Sequence, residues 1–186
     1  MKKDEVAMLA DEKINNALLS HHINFLYGDI EEDNIAESIK WIIYENLTPS
    51  DKPLTLYINS NGGNLQDAFA LIEVMKKSKK PIITIAIGSV CSSAFLIFAS
   101  GTKGYRYVSK TASAMCHQFS DEFNGKYHDI KAAARENELA NERMLNVLKE
   151  STKLETRAIR AKLLPPTDAW FTAEELVSLG VADHIF

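Results

Sequence analysis

Cysteine is scarce in this sequence: Cys91 and Cys116 are the two thiols in 186 residues. Two thiols cannot staple a chain of this length, so no disulfide framework is expected and a reducing compartment is the default. An excess of positive charge is also missing. Lys and Arg number 21 against 25 Asp and Glu, a net charge of −4 with a pI near 5.8, so the basic face that phosphate-backbone binders carry is absent and nucleic acid is not an expected partner. No Gly/Ser linker, internal repeat or single-sign charge block divides the chain. At roughly 100–200 residues per domain, one domain is expected. The opening Met1-Lys2-Lys3-Asp4-Glu5 leads into mixed polar sequence instead of an apolar stretch, which makes secretion unexpected and the cytoplasm the expected location. One long run without charge does occur, Pro81 to Thr102, with the length to cross a bilayer. Its centre, Gly88-Ser89-Val90-Cys91-Ser92-Ser93, is poor sequence to face hydrocarbon. A buried strand, a tight turn and a buried helix are the better reading, and no membrane partner is expected.

What is present is an alternation of strands and helices. Val6, Leu9, Ile14 and Leu18 share one helix face near the start, and Ile23-Asn24-Phe25-Leu26-Tyr27 has strand composition ending at Gly28. Asp33 is expected to cap a helix carrying Ile35, Ile39, Ile42 and Ile43. Leu54-Thr55-Leu56-Tyr57-Ile58 forms a second strand, closed by Asn59 to Gly63; Leu65, Phe69, Ile72 and Met75 then recur at helical spacing, with four lysines among Lys76–Lys80 suiting the helix C-terminus. The apolar run Ile82–Ile87 reads as a third strand buried on both faces. This rhythm implies parallel β-α-β units, an α/β fold. Shorter extended pieces follow at Tyr105–Val108 and Ala114–His117, then one long helix or a helix pair between Lys126 and Leu164. There Ala140, Met144, Val147, Ser151, Leu154 and Ala158 form a narrow apolar stripe, open to packing on the chain's own core or on another subunit. Thr172-Ala173-Glu174-Glu175 is a capping box starting a last short helix, which stops at Gly180.

Two strand-to-helix turns carry candidate chemistry. In Asn59-Ser60-Asn61-Gly62-Gly63, paired glycines let backbone N–H groups point at an anion or a polarised carbonyl oxygen, although such turns are often purely structural. No Gly-Lys-Ser/Thr follows, which disfavours a nucleotide phosphate cradle. The second turn, Gly88 to Phe95, offers Ser89, Cys91, Ser92 and Ser93 where a strand breaks into a helix. The free N–H groups and dipole there stabilise developing negative charge, and the competing role for a serine is simply to cap the helix. A serine needs a base, and the base an orienting partner. Of five histidines only His117 sits within a mostly apolar strand, Ala114-Met115-Cys116-His117-Gln118, while Asp168 lies in the loop before Trp170-Phe171. Taken singly, His117 reads as a core histidine and Asp168 as a turn residue.

Taken in order, these motifs resemble the proteolytic-subunit family of the Clp ATP-dependent protease (ClpP). The shared features are Tyr57-Ile58-Asn59-Ser60-Asn61-Gly62-Gly63; Gly88, Ser92 and Gly101 at the family's spacing; Gly101-Thr102-Lys103-Gly104-Tyr105-Arg106; Met115-Cys116-His117-Gln118; and Asp168-Ala169-Trp170-Phe171-Thr172-Ala173-Glu174-Glu175. The similarity runs from Ile23 to Ile185. It implies a single Clp/crotonase-like domain over residues 1–186 built from repeated β-β-α units, with an N-terminal segment at 1–20 and a handle region at 126–164. It implies Ser92 as nucleophile, His117 as general base and Asp168 as its orienting carboxylate. The N–H groups of Gly63 and Ser93 would form the oxyanion hole, and Gly62 and Phe119 would border a groove for extended peptide. Heptameric rings, paired face to face, would enclose unfolded polypeptide delivered by a separate AAA+ unfoldase that uses ATP; the chain itself would need no cofactor and no metal. The handle would join the rings and give the apolar stripe a partner.

Departures from the family pattern are local. Asn61 and Phe119 stand where proline is usual, Ser93-Ala94 replaces Met-Gly, Thr167 replaces an arginine, and Ser120–Gly125 replaces a glycine-rich stretch. Tyr57, Ile85 and Tyr107 fit the apolar docking surface for the unfoldase, whereas Thr55 and Ser109 are polar. A divergent member, of phage or plastid type or dependent on a partner subunit, fits these changes. Three alternatives are weighed beside it: an inactive ring subunit, a crotonase-type acyl-CoA enzyme with no use for a Ser–His–Asp set, and a Ser–Lys signal-peptide peptidase with no need of His117.

Overall fold

The computed structural model describes residues 3–186, with side chains from residue 11 onward. The first half of the chain alternates helix and strand: α1 (Lys3–Ser20), β1 (Ile23–Tyr27), α2 (Glu32–Leu47), β2 (Leu54–Ser60), α3 (Leu65–Lys77), β3 (Ile82–Cys91) and α4 (Ser93–Ala99). Then follow β4 (Arg106–Val108), β5 (Ser113–Cys116), α5 (Tyr127–Ser151), α6 (Thr156–Lys162), β6 (Ala169–Phe171), α7 (Ala173–Ser178) and β7 (His184–Ile185). This is a mixed α/β fold. β1, β2, β3, β4 and β7 pair in that order, all in parallel, and β5 leaves this row to pair with β3 on one side and antiparallel with β6 on the other.

β3 is forked. Thr84–Ala86 pair with β4, whereas Ser89–Cys91 pair with β5. Between the two halves the chain makes a detour: Ile58 faces Ala86 but Ser60 faces Val90, so β3 spans four positions where β2 spans two. Gly88 makes the bend at φ +60, and a methyl group there would run into the Asn59 carboxamide. Asn59 fills that space and accepts the Ser89 N–H on Oδ1 at 2.8 Å. The strand thus continues through Cys91, and of the turn expected from Gly88 to Phe95 only Ser92 lies outside both strand and helix.

Burial on β2 and β3 alternates instead of covering both faces. Leu54, Leu56, Ile58, Ile82, Thr84 and Ala86 are buried, while Tyr57, Ile83 and Ile85 are half-buried. Every residue of α4 is buried on the covered side, and side chains such as Phe95 and Phe98, with no exposed surface, each contribute about 1.5–3 kcal/mol. On the opposite face Phe25 stacks on Tyr57 with ring centroids 5.2 Å apart.

Local readings are changed or decided between. The helix expected to be capped by Asp33 starts at Glu32 with Glu31 at the cap, because Asn34 accepts the Glu31 N–H and donates to the Asp29 carbonyl, fixing the entry two residues earlier. The 126–164 region is a helix pair. Thr152 Oγ1 donates to the Leu148 carbonyl at 2.7 Å and accepts the Leu154 N–H at 3.2 Å, which ends α5. The apolar stripe therefore breaks: Ala140, Met144, Val147 and Ser151 are buried in the chain's own core, and Leu154 and Ala158 lie beyond the break, half-buried. The apolar side chains that α5 leaves exposed are Tyr127, Ile130 and Leu139. On α1, Ile14 is exposed and Leu18 half-buried; Val6 and Leu9 lie outside the residues whose side chains are described.

A buried guanidinium closes the second half. Arg106, 3% exposed, donates through Nε and Nη2 to both carboxylate oxygens of Asp183 at 2.8 and 2.7 Å, and through Nη1 to the carbonyls of Ala99 and Ser151 at 3.2 and 2.7 Å. One side chain thus fastens the ends of α4 and α5 to β4 and to the segment before β7. Partial burial opposes ionisation of Asp183, but the Arg106 guanidinium and the N–H groups of Arg106 and Gly104 outweigh it and hold the carboxyl below its ordinary value.

Candidate active site

Ser92 sits between the last residue of β3 and the first of α4 at φ +55, ψ −124. A side chain held at positive φ costs of order 1–3 kcal/mol and persists only where neighbours impose it. Here they do. The Ser92 N–H donates to the Met115 carbonyl at 2.9 Å, continuing the β3–β5 pairing, while the Ser92 carbonyl accepts the Phe95 N–H at 3.0 Å and opens the helix. Although Ser92 stands at the N-cap position, its side chain makes no cap bond. Its Oγ lies 2.8 Å from His117 Nε2.

The glycine turn fits against this one. The Ile30 N–H donates to the Gly62 carbonyl and the Asn64 N–H to the Ile30 carbonyl, each at 2.8 Å, a parallel bridge that pins the turn beside the end of β1. Gly62 adopts φ +103 and Gly63 φ +148. A methyl on Gly62 would stand 2.7 Å from Ser92 Cβ, and one on Gly63 would run into the Ile30 carbonyl oxygen. Ser93 Oγ donates to the Gly63 carbonyl at 3.2 Å, linking the two turns. Among the described residues the amides of Gly63 and Ser93 have no acceptor, and both residues line the same cavity as Ser92.

His117 follows the last residue of β5; the strand expected through His117 ends at Cys116 because β6 pairs only that far. The imidazole is half-buried, against the core reading. The antiparallel register Ala114–Phe171, Met115–Trp170, Cys116–Ala169 brings Asp168 next in line opposite His117. Asp168 is exposed, and among the described residues its carboxylate has no hydrogen-bond partner. The structure thus brings Ser92 and His117 into contact and places Asp168 at the facing register position without the third bond.

Beside Ser92 lies a cavity of about 220 Å³ lined by Gly63, Ser93, Leu65, Phe119, Ser120 and Met144, with His117 at its edge. Leu65 and Met144 entered the sequence reading only as helix-face residues; their convergence comes from packing α5 over the glycine turn. The other candidate nucleophiles stand apart from the base. Ser89 Oγ donates to Asn61 Oδ1 at 2.7 Å and lies 3.3 Å from Cys91 Sγ. Cys116 is buried, which pushes its thiol up to about 12 and leaves it protonated and inert at neutral pH. Among the described residues no cluster of His, Cys, Asp or Glu could hold a metal ion, and no helix is long and apolar enough to cross a membrane.

A hydroxyl on an imposed turn, an imidazole within hydrogen-bond distance and two amides without acceptors at the same cavity form a layout suited to acyl transfer, and so to a hydrolase. Comparison with known proteins names the family. The Clp protease family model matches residues 7–186. The chain is similar to the ATP-dependent Clp protease proteolytic subunit 1 of Leifsonia xyli subsp. xyli, at 30% identity over 168 residues, 90% of this chain and 84% of the relative. The chain belongs to the Clp protease family and is a protease subunit, a hydrolase of peptide bonds.

Proposed function

We propose that the chain is a serine endopeptidase subunit in which Ser92 is the nucleophile, His117 the general base and Asp168 the carboxylate that orients it. The observation that carries this reading is the pairing of Ser92, forced to φ +55, with His117 at 2.8 Å. An extended peptide enters by strand addition along Gly62–Gly63 and Phe119, its carbonyl over Ser92. His117 Nε2 takes the hydroxyl proton as Oγ attacks. The carbonyl oxygen, now negative, accepts from the Gly63 and Ser93 amides, and His117 gives its proton to the departing amine. Water then repeats the cycle on the acyl-serine. Donors fixed by the backbone need no reorganisation as charge develops, which is the largest contribution such sites make. Asp168 already stands opposite His117 in the β5–β6 register, and hydrogen bonds of this kind often tighten only when substrate is bound.

The family membership and the open apolar surfaces support assembly into heptameric rings stacked in pairs, with unfolded polypeptide supplied by an AAA+ unfoldase. The exposed Tyr127, Ile130 and Leu139 on α5 and the half-open face around Tyr57, Ile85 and Tyr107 are the surfaces such contacts would cover. A second reading, a catalytically weak ring subunit, draws on the unbonded carboxylate of Asp168.

Intact-mass analysis after treatment with a fluorophosphonate separates the two. One adduct on the wild type that disappears in Ser92→Ala is the expected result. No adduct on the assembled protein would overturn the active reading.

A further inference from the structure

We propose that Asn141, on α5, is a positioning residue for His117 and acts through the main-chain N–H of Phe119; the inference rests on the reading of His117 as the general base. His117 is the first residue beyond β5, where strand pairing has ended. From Gln118 to Gly125 the chain has no regular structure, and among the described residues it makes two hydrogen bonds. Gln118 Nε2 donates to the Leu164 carbonyl at 3.0 Å, and the Phe119 N–H donates to Asn141 Oδ1 at 3.0 Å. Packing helps through one residue, Phe119, whose partly buried ring lies against the core; around it, cavities lie on both sides of the segment. The 220 Å³ cavity beside Ser92 is bounded by Phe119 and Ser120. A second, of about 460 Å³, lies behind Gln118 among Asn141, Glu142, Arg160 and Leu164. With open space on either side, the main chain of this strip takes its position from these two hydrogen bonds and the seat of the Phe119 ring.

Asn141 is suited to that task because it is itself fixed. Its Nδ2 donates to the Asn137 carbonyl one turn back at 2.9 Å, which leaves Oδ1 directed at the Phe119 amide. It lies between the buried Ala140 and Met144, and Met144 lines the cavity beside Ser92. The helix that walls the site therefore also holds the base-bearing segment, two residues downstream of the imidazole. Phe119 is required as something other than proline for this bond to exist, since proline has no N–H.

The test uses the assembled full-length protein. Wild type, Asn141→Leu, Asn141→Asp, Phe119→Pro and the double variant Asn141→Leu with Phe119→Pro are compared. Measurements are the rate of fluorophosphonate adduct formation as a function of pH, kcat and KM on a short fluorogenic peptide, and Tm. Asn141→Leu is expected to slow adduct formation and lower kcat about tenfold, to move the base-side limb of the pH profile, and to leave KM within about twofold. Asn141→Asp keeps an acceptor for the Phe119 amide and is expected to stay within threefold of wild type. In the Phe119→Pro background the Asn141→Leu change should have no further effect. Wild-type rate and pH profile in Asn141→Leu, or an equal effect in both backgrounds, would overturn the proposal while leaving Ser92 as nucleophile. A wild type without an adduct at Ser92 would overturn the underlying catalytic reading, whatever Asn141 does.

Discussion

The turn at Ser92 and the segment beyond His117 meet in one hydrogen bond, yet they are built in opposite ways. On the serine side the supports are mostly main chain, with Asn59, Ser60 and Ser93 adding one side-chain bond each. β5 takes the Ser92 N–H, α4 takes its carbonyl, and the Gly62–Gly63 turn, itself bridged to Ile30, is pressed so close that a single methyl group has no room. On the histidine side, strand pairing ends one residue too early, and two side chains hold the chain. The contrast separates the tasks. On the proposed reading, Ser92 and the amides beside it are pre-set largely by backbone, whereas His117 and Asp168 occupy a region with fewer bonds to hold it when a peptide arrives.

Four experiments break or sharpen this comparison. Ser92→Ala should have the largest effect, lowering kcat by about 10⁴-fold or more on a peptide substrate with little change in Tm. Asp168→Asn comes next. If the carboxylate orients His117 once substrate is bound, kcat falls by about 10²-fold or more while the structure of the free protein, with no bond at that position, stays unchanged. Full activity in Asp168→Asn, measured across pH 5–9, would mean that the histidine side finds its orientation elsewhere. Gly62→Ala tests the serine side: strain at φ +103 and the clash with Ser92 should cost about 1–3 kcal/mol in denaturant unfolding, and activity should fall with it. A variant as stable and active as wild type would show the turn to be softer than its contacts imply.

The smallest effect concerns the clamp behind both sides. Because Asp183 is held below its ordinary value, its contribution to stability is complete above the usual carboxylate range near pH 4 and is lost as pH falls through the lowered value. Acidification in that window should lower Tm in the wild type. Asp183→Asn should already be less stable at pH 7, with a flatter acid limb in a Tm-against-pH series.

Much of this was legible in the chain itself, and the exceptions share a cause. The alternation of strand and helix, the capping box at Thr172 and the glycines at 62, 63 and 180 follow from local chemistry, and these elements stand where their residues put them. Asp33 misled because the entry to α2 is set by a carboxamide bonding backward to Asp29, a contact as available to Asn34 as to any capping residue. The run Ile82–Ile87 looked buried on both faces because hydrophobicity alone cannot tell a covered face from an open one. The Ser92–His117 contact was inferred from order and resemblance; its 2.8 Å distance depends on the fork in β3, which depends in turn on Asn59 filling the space that Gly88 leaves. Arg106 with Asp183, Leu65 with Met144 and Asn141 with Phe119 join residues far apart in sequence, and no periodicity marks such pairs.

The clamp at Arg106 also bears on how the molecule comes into being. Its carboxylate lies 77 residues further along the chain, and at about 5–20 residues per second synthesis needs on the order of ten seconds to cover that distance. For most of that interval, from residue 117 to residue 168, the growing polypeptide contains Ser92 and His117 while β6 and Asp183 have yet to be made. Ser92 and His117 thus precede β6, the strand that pairs beside them, and on the proposed reading of these residues the order of synthesis delays cutting until the last strands close.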